Sequence, residues 1–254
     1  MLTEAQRREL DSLGYTNAGC RFTPEELAEI ASEYDRLVTP EAQTLGTPEQ
    51  GLYPYRAMLN FRSDPLRRFV LHSALLSIAR EVLGDDVRFW WDQGINKSPG
   101  ARSLIAWHQD NGYTPGRIPE YLTCWLSLDA SSQANGGLQV VPGSHRLGQR
   151  EHQMDGAHAV IDPSDGELDV TGAVPLDSAA GDLLVFSSLL VHQTVGNTTA
   201  DQQRRAWVIQ YCRGDQRNEV TGEYYDNRAW VVRGGVPVTE LRAERRFDLR
   251  ADRP

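Results

Sequence analysis

Hydrophobic residues recur with helical spacing in the first part of the chain. A first helix is predicted over residues 3–13, where Thr3 can cap the free backbone N–H groups and Gln6 occupies the capping-box position. A second helix begins at Thr23, and its apolar residues recur three and four positions apart, so they form one stripe that can be buried. This stripe consists of Leu27, Ile30, Tyr34 and Leu37.

A third helix is predicted from Asp64-Pro65 to Gly84, with a break near Ser73. Its apolar residues are Phe69, Leu75, Ile78 and Val82. Between the second and third helices, residues 39–54 contain three Pro and two Gly and are predicted to form a loop. We expect the helices to pack together on one face of a sheet.

The pattern changes to short strands from Val87 onward. Strands are predicted over Val87–Trp91, Leu104–His108, Leu122–Leu128, Leu138–Val141, Leu183–Phe186, Leu190–Thr194 and Arg204–Cys212. Short strands separated by turn residues are typical of an antiparallel barrel made of two sheets. The fold class is therefore predicted as α+β, with an all-β core of the double-stranded β-helix type, that is, a cupin-like jelly roll.

We expect one domain over residues 1–254, in which a helical part (1–84) packs on the barrel (87–213). Residues 146–180 form a long polar connection, and such connections are usually functional or mobile. Residues 214–254 show no clear periodicity. Both segments are predicted to be mobile or to form a lid.

Composition restricts the class of partner. The net charge of −9 and the pI of about 5.2 argue against nucleic acid and anionic membrane surfaces. The first residues lack the basic and apolar regions of a signal peptide, and no apolar run is long enough to span a membrane, so a cytoplasmic protein is expected. The three cysteines are widely spaced, which indicates free thiols in a reducing compartment. The sequence leaves open whether the protein is a monomer or a homodimer.

Three side chains can form a metal site. His108 and Asp110 are two residues apart, so they can converge if they lie on or just past a strand end. His192 would have to arrive from a distant strand that folds back beside them. Two imidazoles and one carboxylate with open positions suit a non-haem Fe(II) centre. The alternative is a pair of hydrogen-bonded histidines near the core, and His145 in a tight turn is the strongest rival for a ligand role.

Around these residues the chain resembles the phytanoyl-CoA dioxygenase-like family of Fe(II)/2-oxoglutarate oxygenases. The resemblance covers roughly residues 1–213 and rests on several segments in the family's order. They are Ile95-Asn96-Lys97-Ser98-Pro99, Trp107-His108-Gln109-Asp110, Thr123-Cys124-Trp125-Leu126-Ser127-Leu128, Asn135–His145, Gly181-Asp182-Leu183-Leu184-Val185-Phe186, His192, Asn197 and Arg204-Arg205-Ala206.

The resemblance implies Fe(II) held by His108, Asp110 and His192 as the catalytic group. It also implies 2-oxoglutarate and O2 as co-substrates, with succinate and CO2 as co-products. Related halogenases have Gly or Ala where Asp110 stands, so the family pattern indicates a hydroxylase.

The far carboxylate of 2-oxoglutarate needs a cation, which an arginine supplies in bidentate form. Strand alternation places Arg204 on the more polar face of its strand, toward the cleft, and Arg205 on the bulky face toward the helices. This predicts Arg204 as the ligand. Because the family places its arginine one residue closer to the distal histidine, Arg205 stays open, as does an exposed strand-end arginine with no ligand.

Further cofactor contacts are predicted at Thr194, Gln93, Trp125, Gln109 and Lys97. Thr194 shares the face of His192 and can donate a hydrogen bond to the same carboxylate. Gln93, Trp125 and Gln109 align with positions that the family uses around the co-substrate, although Trp125 can equally be a core residue. Lys97 matches a recurrent family lysine. Lys97 can be a pocket cation or a surface residue of its strand.

Substrate contacts are predicted at Trp90, Tyr113 and Tyr121, with a plain core role as the alternative. We favour hydroxylation of a small metabolite such as a natural-product intermediate. Acyl-CoA hydroxylation, desaturation, epimerisation and ring closure by the same cofactors stay open. Two other classes are a non-oxidative cupin-like metal isomerase and a barrel that only binds a ligand.

Overall fold

The structure, a computed structural model, describes residues 1–47, 51–156, 158–165 and 168–242. Its helices are α1 (Glu4–Leu13), α2 (Pro24–Leu37), α3 (Asp64–Val70) and α4 (Ser73–Leu83), with short 3-10 helices at Leu59–Phe61, Asp110–Tyr113, Ser144–Leu147 and Pro163–Asp165. Its strands are β1 (Tyr15–Cys20), β2 (Thr44–Thr47), β3 (Gly51–Ala57), β4 (Val87–Lys97), β5 (Ile105–His108), β6 (Leu122–Ser127), β7 (Leu138–Val140), β8 (Gln153–Asp155), β9 (His158–Val160), β10 (Val174–Leu176), β11 (Asp182–Ser187), β12 (His192–Thr194), β13 (Arg204–Arg213), β14 (Trp230–Arg233) and β15 (Val236–Arg242). The end of the predicted tail, residues 243–254, lies outside this description.

The first two helices begin at the capping boxes that the sequence predicts. The Thr3 side chain accepts a hydrogen bond from the Gln6 backbone, and the Gln6 side chain accepts one from the Thr3 backbone. Thr23 and Glu26 form the same reciprocal pair in α2. These bonds satisfy N–H groups that have no partner inside the helix. The predicted break near Ser73 is also confirmed, because α3 ends at Val70 and α4 starts at Ser73.

Among the described residues, most strands form two antiparallel sheets. The larger sheet runs in the order β1-β11-β6-β13-β4-β14-β15, with β3 paired to β4 and β2 paired to β3. The smaller sheet runs β10-β7-β12-β5, and β8 and β9 form a separate hairpin. This is the predicted arrangement of a barrel made of two antiparallel sheets.

Alternation along β13 divides the core in two. Trp207 and Ile209 belong to the cluster that includes the buried faces of α2, α3 and α4. Ala206 and Val208 belong to a second cluster, which also includes Trp125 and residues of the smaller sheet. The helices therefore back the larger sheet, and the opposite face of β13 points between the sheets, as predicted.

The prediction of a loop over residues 39–54 is wrong for half of that segment. It contains β2 and the first part of β3, which pair as an antiparallel hairpin with Thr44 opposite Pro54. Proline is tolerated in a strand where its missing N–H is not needed for pairing. The Pro and Gly content hid a strand that brings Tyr53 and Tyr55 to the interior.

Strand β4 continues six residues beyond the predicted end at Trp91, as far as Lys97. The polar residues Asp92 and Gln93 end the apolar run in the sequence, but both are accommodated by hydrogen bonds in the sheet interior. Gly94 lets the helical layer approach closely, because a Cβ there would lie 2.4 Å from a methyl group of Val38.

The two segments expected to be irregular also contain strands. In the tail, β14 pairs with β4 and β15 pairs with β14, so both strands extend the larger sheet. In the connection 146–180, β10 pairs with β7, and β8 pairs with β9. Backbone pairing at a sheet edge requires little side-chain periodicity, which is why the sequence pattern did not indicate these strands.

Candidate metal centre

His108 and His192 face each other as a cross-strand pair. Strands β5 and β12 pair so that these two residues are directly opposite. Side chains of such a pair point to the same face of the sheet, and the two imidazole centroids are 4.2 Å apart. Asp110 follows the end of β5, with its Oδ1 3.8 Å from Nε2 of His192. One ligand atom from each of these three buried side chains lies within 4.8 Å of the other two.

Backbone carbonyls fix the tautomer of both histidines. Nδ1 of His108 lies 2.7 Å from the Ala106 oxygen, and Nδ1 of His192 lies 2.9 Å from the Leu190 oxygen. Because a carbonyl only accepts, Nδ1 carries the proton in each ring, and Nε2 keeps its lone pair. Burial, and then the neighbouring His192, lower the pKa of His108 well below its usual value. A neutral imidazole that offers Nε2 is the form that binds a metal ion.

The Asp110 carboxylate is oriented by two donors. Its Oδ2 accepts hydrogen bonds from the Thr123 hydroxyl at 2.6 Å and from the Gln210 amide at 2.9 Å. Both donors belong to strands of the larger sheet, so that sheet holds a ligand that follows a strand of the smaller one. This arrangement leaves Oδ1, the oxygen nearer His192, available to bind a metal ion through one atom.

Three of the other four histidines lie outside the cavity and have separate roles. Nε2 of His145, the rival ligand, lies 3.3 Å from the backbone oxygen of Asp11. His72 caps α4, and His152 accepts a hydrogen bond from the Gln109 backbone. Among the described residues, the group that could hold a metal ion consists of His108, Asp110 and His192.

A cavity of about 460 Å³ opens beside these three side chains. Its described lining is mainly aromatic and polar, with aliphatic residues of both sheets. The lining residues are Gln43, Leu45, Tyr53, Tyr55, Ala57, Arg62, Trp91, Gln93, Ile95, Ile105, His108, Asp110, Tyr113, Tyr121, Trp125, Met154, Gly156, His158, Phe186, His192, Thr194, Val208 and Gln210. Among them Asp110 is the only carboxylate.

Arg204 is a buried cation without a polar partner in the described part of the chain. It is 0% exposed, and none of its three guanidinium nitrogens has a hydrogen bond there. Its guanidinium carbon lies 5.2 Å from the centroid of Trp125, which lines the cavity. Burial lowers the pKa of Arg204 to about 10, so the group is still charged at neutral pH.

Arg205 points the other way, as strand alternation predicts. Its guanidinium donates to Asp129 and Asp35, with closest distances of 2.7 Å to each. These hydrogen bonds raise the pKa of Arg205 above its usual value. Arg205 is therefore paired with carboxylates on the helix side of the sheet. Arg204 lies on the opposite face of the strand, together with Val208 and Gln210, which line the cavity.

Lys97 lies in neither of the environments expected for it. It is fully buried, and its ammonium donates to the Thr194 hydroxyl at 2.7 Å and to the backbone oxygens of Ser103, Thr194 and Val195. Burial, and then the charge of Arg204, lower the pKa of Lys97 well below its usual value. Since its donors are all used, a direct cofactor contact of Lys97 is contradicted. Thr194 itself lines the cavity.

Gln93 and Trp125 both line the cavity. The Gln93 carbonyl accepts from the Tyr55 hydroxyl at 2.9 Å and from the Trp91 indole at 3.1 Å, which orients the side chain and leaves its NH2 group as a donor. The Trp125 indole nitrogen is buried and has no hydrogen-bond partner among the described residues. Both side chains can therefore contact a bound molecule.

Gln109 does not reach the cavity, which contradicts its predicted cofactor contact. It is 0% exposed, and its amide donates to the backbone oxygens of Gly148 and Leu189 and accepts from the backbone of Arg150. The residue lies between two ligands in sequence, but its side chain points away from them because successive residues of extended chain point to opposite faces.

Two of the three predicted substrate residues line the cavity. Tyr113 and Tyr121 do so, whereas Trp90 packs in the core on the helix side, between Tyr121 at 5.3 Å and Tyr225 at 4.9 Å between ring centroids. The prediction for Trp90 is therefore wrong. Its neighbour Trp91 lines the cavity instead. Alternation along β4 places these two residues on opposite faces, but it does not say which face is turned to the cavity.

The sequence pattern did not indicate several residues that line the cavity. Tyr53 lay in the segment predicted as a loop, Tyr55 follows directly after that segment, and His158 lay in the long connection. Nε2 of His158 is 3.4 Å from the Tyr53 hydroxyl, and its Nδ1 is 3.3 Å from the Tyr113 hydroxyl. Gln210 could have been found, because it lies on the same strand face as Arg204.

No helix in the described part of the chain is long and apolar enough to cross a membrane.

Comparison with known proteins finds a family match and several relatives. The family model described as phytanoyl-CoA dioxygenase matches residues 10–206. A probable alpha-ketoglutarate-dependent hypophosphite dioxygenase from Stutzerimonas stutzeri is 26% identical over an alignment 261 positions long, and this alignment covers 92% of this chain and 87% of that protein.

Solved structures share the fold. The non-haem alpha-ketoglutarate-dependent carbocyclase SnoK from nogalamycin biosynthesis superposes with a TM-score of 0.74 at 24% identity, over 85% of this chain and 86% of that one. EvdO2 from Micromonospora carbonacea var. aurantiaca, complexed with 2-oxoglutarate, superposes with a TM-score of 0.70 at 22% identity, over 86% and 93% of the two chains. The predicted jelly-roll fold is confirmed.

Proposed function

The chain belongs to the phytanoyl-CoA dioxygenase family, and from that membership we propose that it is an Fe(II)- and 2-oxoglutarate-dependent oxygenase acting on a small metabolite. The observation that carries the proposal is the pairing of a buried His-Asp-His group with a buried arginine that has no polar partner among the described residues. The first suits a metal ion, and the second suits an anion that the protein itself does not supply.

The donor set fits Fe(II). His108 and His192 offer Nε2 lone pairs, and Asp110 offers one oxygen, while its other oxygen is held by Thr123 and Gln210. Two nitrogens and one carboxylate oxygen leave coordination positions open, which is the pattern of oxygen-activating iron centres. The carboxylate at position 110 fills the place that would have to be vacant for a halide, so halogenation is not proposed.

The surroundings fit 2-oxoglutarate. A buried guanidinium without a counter-ion is costly, and a dicarboxylate that brings its own charge would offset that cost. We assign Arg204 to the far carboxylate of 2-oxoglutarate and Thr194 to the same group as a hydroxyl donor. Gln93 and Trp125 supply further N–H donors at the cavity wall.

When bound, Fe(II) with 2-oxoglutarate and O2 supplies an oxidant for an unactivated C–H bond, with succinate and CO2 as co-products. The protein's own residues position and shield that chemistry. Tyr113 packs edge-to-face on His108, with centroids 5.5 Å apart, and Phe186 packs on His192 at 5.2 Å. These rings hold the ligand imidazoles and keep bulk water from the open side of the metal centre.

The cavity selects against cationic substrates. Besides the proposed metal ligands, its described lining contains the guanidinium of Arg62 and no carboxylate. Among the described residues Arg62 makes no ion pair, and its Nε has only a 3.4 Å contact with the Ala57 oxygen. We therefore propose a neutral or anionic small molecule with an apolar body that the aromatic walls can contact.

Hydroxylation is the outcome we propose, and a different substrate pose would give desaturation, epimerisation or ring closure with the same residues. A non-oxidative metal isomerase would need the three ligands but would have no use for a buried Arg204. The distinguishing test is turnover of 2-oxoglutarate. Succinate should form only with Fe(II) and O2 present, and formation should stop in His108→Ala. Metal binding without succinate formation, across a panel of candidate substrates, would favour the isomerase.

A further inference from the structure

Gln109 joins the two segments that carry the proposed metal ligands. Its side-chain amide donates to the Leu189 oxygen at 2.7 Å, three residues before His192, and to the Gly148 oxygen at 2.9 Å. Its carbonyl accepts from the Arg150 backbone at 2.7 Å. A single side chain between His108 and Asp110 thus forms hydrogen bonds with the segment that leads to His192 and with a loop of the long connection 146–180.

His152 completes this arrangement from outside. Its Nδ1 lies 2.9 Å from the Arg150 oxygen and therefore carries the proton, so Nε2 is free to accept the Gln109 backbone N–H at 3.0 Å. The ring fills the space above Gly112, where a Cβ would lie 2.3 to 2.5 Å from three of its atoms. Gly112 is not among the residues with positive φ, so the His152 ring is the nearest obstacle to a side chain there.

We propose that Gln109 and His152 are positioning residues that set the metal affinity of the centre. Together they hold the turn at 108–112 against residues 148–152 and 189, and this fixes how far Asp110 and His192 stand from each other. Neither side chain lines the cavity, so neither contacts substrate or co-substrate. We call this contact of Gln109 and His152 with residues 148–152 and 189 the clasp. The inference rests on the proposed metal centre, because the clasp has a function only if the three ligands bind one ion.

The test is Mn(II) binding to the apo protein, measured by calorimetry with Mn(II) alone as the probe. His152→Ala removes the acceptor for the Gln109 N–H, and Gly112→Ala pushes the ring away from it. Each should weaken Mn(II) binding by about tenfold or more, the usual effect of losing an outer-shell partner. The double variant should bind about as weakly as His152→Ala alone, because the clash vanishes with the ring. If His152→Ala does not fold, His152→Asn, which retains a shorter acceptor, should give a smaller loss.

A control separates metal affinity from general stability. Val231→Ala removes buried volume in β14, on the helix side of the larger sheet, and should lower Tm while leaving Mn(II) affinity unchanged. Equal affinities for the unsubstituted protein, His152→Ala and Gly112→Ala would overturn the clasp, as would strictly additive losses in the double variant. Failure of the unsubstituted protein to bind Mn(II) would overturn the metal centre and the clasp together.

Discussion

Lys97 donates a hydrogen bond to the Thr194 hydroxyl at 2.7 Å, from a position buried behind the cavity wall. Because the oxygen of Thr194 is used as an acceptor, its own proton is left to be donated elsewhere. Thr194 lines the cavity on the same face as His192. In the proposed co-substrate site, this hydrogen bond would orient the Thr194 hydroxyl to donate to an anion that Lys97 itself does not contact.

Thr194→Val should weaken 2-oxoglutarate binding by about tenfold or more, since a hydrogen bond to a charged group contributes about 1.5–3 kcal/mol. The substitution preserves shape and removes the donor. Calorimetric titration of the Mn(II)-loaded protein measures it, with Thr198→Val on an exposed loop as the matched control. Equal affinity in both variants would exclude Thr194 from the co-substrate site.

Substitution of the two adjacent arginines should have opposite effects. Arg204→Met should reduce 2-oxoglutarate affinity by at least about 30-fold, or about 2 kcal/mol, because it removes one partner of a buried charge pair. It should leave the apo protein as stable as before or more so, since the charge it removes has no counter-ion.

Arg205→Met should instead lower stability and leave 2-oxoglutarate affinity unchanged, because it breaks the ion pairs with Asp129 and Asp35. Parallel calorimetry and thermal unfolding of both variants give the comparison. If the loss of affinity follows Arg205, the assignment of the strand face is wrong.

The stability of the fold should depend on the buried carboxyl of Asp92. Burial raises its pKa to about 6, although it accepts hydrogen bonds from Trp207 and Asn60. A raised pKa means that the folded state binds the proton more tightly than the unfolded chain does. The contribution of the protonated Asp92 carboxyl to the free energy of unfolding is therefore complete below about pH 4, and it is lost as the pH rises through about 6.

Asp92→Asn removes this titration. Its stability relative to the unsubstituted protein should rise between pH 4 and pH 7 by up to about 3 kcal/mol, the equivalent of roughly two pKa units. Denaturant unfolding across that range measures the difference. A difference that stays constant with pH would show that Asp92 is ionised at its ordinary pKa.

Arg62 should favour anionic ligands at the cavity. A matched probe pair is 8-anilino-1-naphthalenesulfonate and N-phenyl-1-naphthylamine, which differ only in the sulfonate. Arg62→Gln should weaken binding of the sulfonate by several-fold, in line with about 1 kcal/mol for an exposed charge, and should leave the amine unaffected. Arg67→Gln, at a half-buried arginine that is paired with Asp64 and does not line the cavity, is the control. Equal effects on both probes would remove Arg62 from the substrate site.

The parts of the fold that follow from local rules were predictable from the sequence. The capping boxes at Thr3 and Thr23 determine where two helices begin, and alternation along β13 places Arg204 and Arg205 on opposite faces of the sheet. The two metal-ligand histidines were recognisable because their spacing and flanking segments resemble a known family. Their exact opposition across β5 and β12 depends on strand register, which the sequence does not specify.

Other features depend on pairing between distant segments. Tyr53 reaches the cavity because a Pro-bearing strand pairs with β4, and Lys97 is buried because the segment around Thr194 folds over it. Gln109 was expected at the cofactor and instead joins two loops. Lys97 and Gln109 donate to backbone oxygens far away in sequence, and a backbone atom has no residue type that a pattern could reveal.

Anaerobic titration of the apo protein with Fe(II) and then 2-oxoglutarate, followed by visible absorption, tests most directly whether this site binds both. We expect a weak metal-to-ligand charge-transfer band that requires both additions, is absent in His108→Ala and requires more 2-oxoglutarate in Arg204→Met. Tight Fe(II) binding without any band on addition of 2-oxoglutarate would contradict the assignment as a 2-oxoglutarate-dependent oxygenase.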